Sequence, residues 1–168
     1  STMAGEAEYT FWHALLRDVA YGELTRGARL VRHRAAAAWL TERAGAALGE
    51  DAEIVVAHLD RALELAAATG ATGELQAIRA SLVDALIAAA DTSMRMEAPR
   101  AAGQLRRVLD LLDAGDILRP GVLARLGRVC YAASELVDAL RHFEEADRLY
   151  REHGDAVSAA SLAAWISR

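Results

Sequence analysis

The sequence predicts an all-α chain built as a stack of antiparallel helical hairpins, on three observations. Apolar residues recur every three or four positions almost throughout the 168 residues, with no alternating stretch long enough for a useful strand. Glycines and prolines punctuate these stripes where a helix would end or begin. The links left between stripes are short, so consecutive helices must reverse direction and lie side by side.

Eight helices follow from that pattern, at about 12–24, 27–46, 52–69, 73–91, 99–113, 120–133, 136–152 and 155–167. The fourth carries the stripe Leu75, Ile78, Leu82, Ala85, Leu86 and Ala89, and the seventh carries Leu136, Ala139, Leu140, Phe143, Ala146, Leu149 and Tyr150. Both stripes are wide enough to face a core. Gly49, Gly70 with Gly73, Gly115 and Gly154 sit at expected helix ends, where a left-handed residue closes the last turn. Pro99 and Pro120 sit at expected helix starts, because the first turn does not use the N–H that proline lacks. The longest link expected is 91–98, polar except for Met94 and Met96.

Composition narrows the class. Apolar residues make up 54% and charged residues 26%, which fits a chain with one well-buried core and excludes a disordered one. The longest apolar runs, Ala35 to Leu40 and Leu86 to Ala90, fall far short of the roughly 20 residues that cross a bilayer. A single cysteine, Cys130, allows no disulfide within the chain, and the polar start at Ser1 to Glu6 has no leader pattern, so a cytoplasmic setting is expected. Net charge is −5, which disfavours nucleic acid as the main partner. Aromatic residues are only 5%, so alanine must let helices approach where bulky side chains are missing.

Within 120–153, Leu123, Leu126, Gly127, Cys130 and Tyr131 occupy one helix and Ala139, Phe143 and Ala146 the next. This spacing resembles the tetratricopeptide repeat, an antiparallel helix pair in about 34 residues with small residues where the helices touch. Gly127 and Ala139 would let the backbones close, and Phe143 would fill the wedge towards the neighbouring hairpin; the motif's final proline is replaced by Arg151. Residues 73–113 resemble a second, degenerate copy in which Ala101, Leu105 and Val108 take the parts of Ala139, Phe143 and Ala146. The resemblance implies a short right-handed superhelix over 51–168. The last helix is rich in apolar positions for a terminal cap, including Val157, Ala160, Leu162, Trp165 and Ile166. It is expected to be half of a hairpin whose partner is missing, and to be a place where two copies could associate.

The N-terminal stretch Tyr9-Thr10-Phe11-Trp12-His13-Ala14-Leu15-Leu16-Arg17-Asp18-Val19-Ala20-Tyr21, with Leu24, Arg29, His33, Ala37 and Leu40, is the most distinctive part of the chain. It resembles a segment of bacterial STAND-type ATPase regulators, among them multidomain adenylate cyclases and LuxR-type regulators. There it closes a winged-helix subdomain and leads into a tetratricopeptide array. The resemblance implies that residues 1–50 are the end of that winged-helix segment and its connecting helices, and that the chain is a fragment of a larger regulator with Ser1-Thr2 a cloning remnant. It also implies His13 as a nucleotide-phosphate sensor in the parent protein. Ala14 stands where relatives often carry aspartate, and the chain holds no glycine-rich loop ending in Gly-Lys-Ser or Gly-Lys-Thr. No cofactor is therefore expected in the chain itself.

Other chemistry is sparse. His13, His33, His58, His142 and His153 do not pair with one another or with Cys130 at metal-ligand spacing on one helix. Cys130, among Leu126, Val129 and Ala133, reads as a buried inert thiol. Carboxylate neighbours such as Glu144 and Glu145 point to different sides of a helix and do not make a general acid and base. Arg26, Arg29, Arg32, His33 and Arg34 form one basic concentration, which could grip phosphates, be a solvated face or meet a neighbouring ATPase domain. Met94 and Met96 are candidate partner contacts in the link, or a lid over the hairpins. Trp39, Tyr131 and Trp165 are candidate pocket walls for a small molecule.

The expectation is a non-enzymatic protein-interaction and regulatory module, with Arg26, Arg29, Arg32, Met94, Met96 and Trp165 as its possible interaction surface. The alternatives are a DNA-binding accessory using the Arg26–Arg34 helix and a small-molecule sensor.

Overall fold

The computed structural model describes residues 14–45, 48–49, 51–94 and 96–167, and its regular structure is entirely helical. Eight helices follow one another: α1 (Ala14–Gly22), α2 (Arg26–Ala44), α3 (Ala52–Thr69), α4 (Thr72–Ser93), α5 (Ala98–Leu111), α6 (Arg119–Ala132), α7 (Leu136–Glu152) and α8 (Ala156–Ile166). None of them is long and apolar enough to cross a membrane.

Local chemistry sets most of the ends. The Thr25 side chain accepts a hydrogen bond from the Ala28 N–H and starts α2, and Asp155 does the same for Ser158 at the start of α8. Each satisfies a donor that the first turn leaves without a helical partner. Gly70 takes a left-handed conformation (φ 71°), which lets α3 reverse into α4 across two residues. Pro99 and Pro120 lie in the first turns of α5 and α6, as the spacing predicts.

Several end positions differ from the sequence expectation. Gly45, and not Gly49, carries the positive φ near the end of α2. Gly73 lies inside α4, and Gly115 keeps a negative φ between α5 and α6. Ser134 takes the left-handed place between α6 and α7 (φ 65°), a position that glycine fills more often. The link expected at 91–98 is shorter, because α4 runs to Ser93, with Met94 capping it. Thr92 helps carry it: its hydroxyl donates back to the Ala88 carbonyl, so this polar residue is accommodated within the helix.

Packing is chiefly between each helix from α2 onward and the next. Beyond that, ion pairs tie helices two apart. Arg34 of α2 pairs with Glu74 of α4, and Asp91 of α4 with Arg125 of α6 at 3.2 Å. On α3 and α5, Glu53 pairs with Arg100 and Asp60 with Arg107. The two latter pairs share one offset, so α3 and α5 run in the same direction and in register. One continuous hydrophobic core threads the stack from Leu30 to Leu162, with Val55, Ile78, Leu82, Leu86, Leu105 and Leu126 almost fully buried. Among the described residues, every side chain fully withdrawn into it is apolar, so its stability rests on area removed from water and on close packing.

α6 and α7 approach each other closely. A Cβ placed on Gly127 would lie 2.5 Å from Cε1 of Phe143, so the ring lies directly on the glycine backbone. The same ring sits 5.0 Å from Trp165 of α8, and Tyr131 of α6 meets Trp165 edge-on at 5.3 Å.

Candidate functional site

Because α2–α3 and α3–α4 each reverse direction, α2 and α4 run the same way and leave a groove between them. Its cavity measures about 650 Å³, within the range of ligand-binding clefts. Leu59 of α3 and the almost fully buried Ala37, Ile78 and Ala85 make an apolar floor. Arg34 lies on one wall, neutralised by Glu74. Glu42 of α2 and Asp84 of α4 also line the groove, both exposed, and neither makes an ion pair or hydrogen bond with a described residue. Along its helix, Glu42 lies about 12 Å beyond Arg34, and Asp84 about 15 Å beyond Glu74. One end of the groove is thus charge-balanced and the other is acidic.

Beside the groove, α1, α2 and α3 meet through polar groups. The Nδ1 atoms of His33 and His58 are 2.9 Å apart, so they share one proton between donor and acceptor. The Tyr21 hydroxyl lies 3.0 Å from Nε2 of His33, and Arg61 reaches that hydroxyl at 3.4 Å. Arg29 stacks over the Tyr21 ring, 4.6 Å from its centroid, and donates to the Gly22 carbonyl at 2.7 Å. Burial lowers the His33 pKa below the ordinary imidazole value, with His58 and Arg61 adding to the shift. Two imidazoles and two guanidiniums without a carboxylate between them make a poor cation site, and no group of three metal-ligating side chains exists among the described residues.

The residues singled out from the sequence are scattered over this framework. His13 lies outside the described residues. Arg26 and Arg32 are exposed on α2, whereas Arg29 turns to Tyr21 and Arg34 to Glu74, so the basic stripe is partly spent inside the protein. Met94 is half-buried against the core, and Met96 is 90% exposed. Trp165 is held by Tyr131 and Phe143 and borders a smaller cleft of about 250 Å³. Trp39, with Arg43 over its ring, lines no wall of the large groove, nor do Tyr131 and Trp165. Cys130 is buried, and burial, followed by the nearby Glu135, raises its thiol pKa, which keeps it protonated and unreactive.

Sequence reasoning missed the His33–His58 contact and the groove. The two histidines are 25 positions apart on different helices, and no spacing rule within one helix connects them. The usable signal was that each interrupts the inward side of its own stripe with a polar ring.

No family model, curated protein or solved structure matches the chain.

Proposed function

We propose that this chain is a non-catalytic protein-interaction module: a stack of tetratricopeptide-type hairpins serving as the regulatory part of a larger, cytoplasmic, ATP-dependent signalling or transcriptional regulator. The observation that carries the repeat reading is one of register. Asp91 pairs with Arg125, and Tyr131 stacks on Trp165; each contact joins residues 34 apart on helices two apart. That offset between α4 and α6 and between α6 and α8 matches the motif's period, as stacked hairpins produce. Arg34–Glu74 is instead 40 apart, and Glu53–Arg100 and Asp60–Arg107 are 47 apart, so the repeat reading is carried by the C-terminal half. Ala101, Leu105 and Val108 on α5 are buried at the same spacing as Ala139, Phe143 and Ala146 on α7, which supports the degenerate second copy. The placement within a larger regulator rests on the resemblance of the N-terminal segment.

Such a stack acts by presenting a groove rather than by chemistry. The module would hold a partner segment, or another part of the parent chain, against α2, α4, α6 and α8. Chemical cross-linking and co-purification with the adjoining domains of the parent protein test this. Contacts to those domains support it, and an absence of contact in both nucleotide-bound and nucleotide-free states overturns it. The DNA-binding alternative has less to stand on, since Arg29 and Arg34 are engaged within the protein.

A further inference from the structure

We infer that the α2–α4 groove is a docking site for a helical peptide segment bearing an apolar stripe flanked by arginine or lysine. The inference deepens the interaction-module reading and rests on it.

Shape and charge both argue for that occupant. The groove floor is made of Leu59, Ile78, Ala37 and Ala85, and alanines on its α2 wall leave room for side chains to enter. A floor with so little polar surface rewards an apolar stripe by removing it from water. Its volume, about 650 Å³, admits several side chains but not a folded domain. The ionic groups then select the sign of the flanks. Arg34 is already matched by Glu74, while Glu42 and Asp84 stand unmatched on opposite walls of the same groove. A cationic side chain reaching between them gains attraction from both walls, whereas an acidic one meets repulsion from both. The two helices fix the backbones of Glu42 and Asp84 on facing walls, so both carboxylates border the same groove.

The proposal is tested with two designed helical peptides of about 15 residues, each with the same leucine stripe, one flanked by arginine and the other by glutamate. Fluorescence anisotropy at moderate salt measures binding to the wild-type chain, to a Glu42→Gln/Asp84→Asn double variant and to an Asp138→Asn/Glu144→Gln variant with the same charge change on α7. The expected result is saturable binding of the arginine peptide that weakens about tenfold in the groove variant and is unchanged in the α7 variant. Nuclear magnetic resonance shifts should then cluster on α2 and α4. Equal weakening by both variants shows attraction by net charge alone and overturns the proposal, as does equal binding of the glutamate peptide. Binding that persists in the groove variant, with shifts on α6 and α8, also overturns it but leaves the interaction-module reading intact. Dimerisation of the wild-type chain in sedimentation equilibrium, lost in the groove variant, assigns the groove to a second copy and overturns it too. Circular dichroism melting checks that each variant retains its fold.

Discussion

The two ends of the stack share one apolar core but differ in the contacts that lie beside it. At the N-terminal end, α1 to α3 meet through Tyr21, His33, His58 and Arg61, a seam of directional, titratable contacts. At the C-terminal end, α6 to α8 meet through Gly127, Phe143, Tyr131 and Trp165, where fit and aromatic contact decide the geometry. The first seam depends on the protonation of His33, and the second on the close fit of the Phe143 ring against Gly127 and Trp165.

The largest expected effect falls on the apolar seam. Phe143→Ala should cost about 3–5 kcal/mol, because it removes a nearly buried ring that also touches Trp165. Urea unfolding should show this as a lowered midpoint, of similar size at neutral and mildly acidic pH. A cost below about 1 kcal/mol would mean that the seam is loosely packed and the contrast is false.

Gly127→Ala comes next, at about 1–3 kcal/mol, since the added methyl must displace the Phe143 ring. The double variant Gly127→Ala/Phe143→Leu should recover part of the loss, which the same unfolding measurement would detect. Recovery identifies steric conflict with that ring, and not helix propensity, as the cause, because alanine is otherwise the better helix former.

The polar seam should show a smaller effect of different form. His33 has a folded pKa below the ordinary value of 6.5, so between the two values the unfolded chain binds more protons than the folded one. Its contribution to stability is present above pH 6.5 and is lost as pH falls from there through the lowered folded value. The melting temperature should therefore drop between about pH 7.5 and pH 5, and His33→Gln should flatten part of that drop. The His142 pKa is likewise lowered, mainly by burial, so His142→Gln in the same background should remove a further part. A pH profile unchanged by His33→Gln would remove the titratable character of the N-terminal seam.

The smallest effect belongs to the ion pairs that hold the stack in register. A double-mutant cycle on Asp60 and Arg107, paired at 2.6 Å on a partly exposed surface, should yield about 0.2–1 kcal/mol, decreasing with salt. A larger coupling would mean that register is an electrostatic matter and not one of core packing.

How far the sequence alone reaches can be judged from particular elements. The bounds of α3 and α7 coincide with the predicted ones, and those of α6 lie one residue away at each end, because apolar period, prolines and caps act within a few residues of each other. The shorter link after α4 was not legible. Its polar composition reads as loop, yet Thr92 bonds back to Ala88 and Met94 lies against the core. Ser134 was equally hidden, since nothing local marks a serine for the left-handed region.

The candidate site divides in the same way. Arg29 and Arg34 were visible as charge, but whether they faced a partner or their own protein depended on Tyr21 and Glu74. His33 and His58 acquire a common proton only when α2 and α3 lie side by side, and Glu42 and Asp84 share a groove only when α4 comes to rest along α2. The sequence by itself determined the helices, their order and their buried faces, because periodicity, helix propensity and capping are short-range properties of the chain. Tertiary structure alone decided which side chains share a proton, a groove or a ring contact, because those pairings depend on how whole helices settle against one another to fill a core.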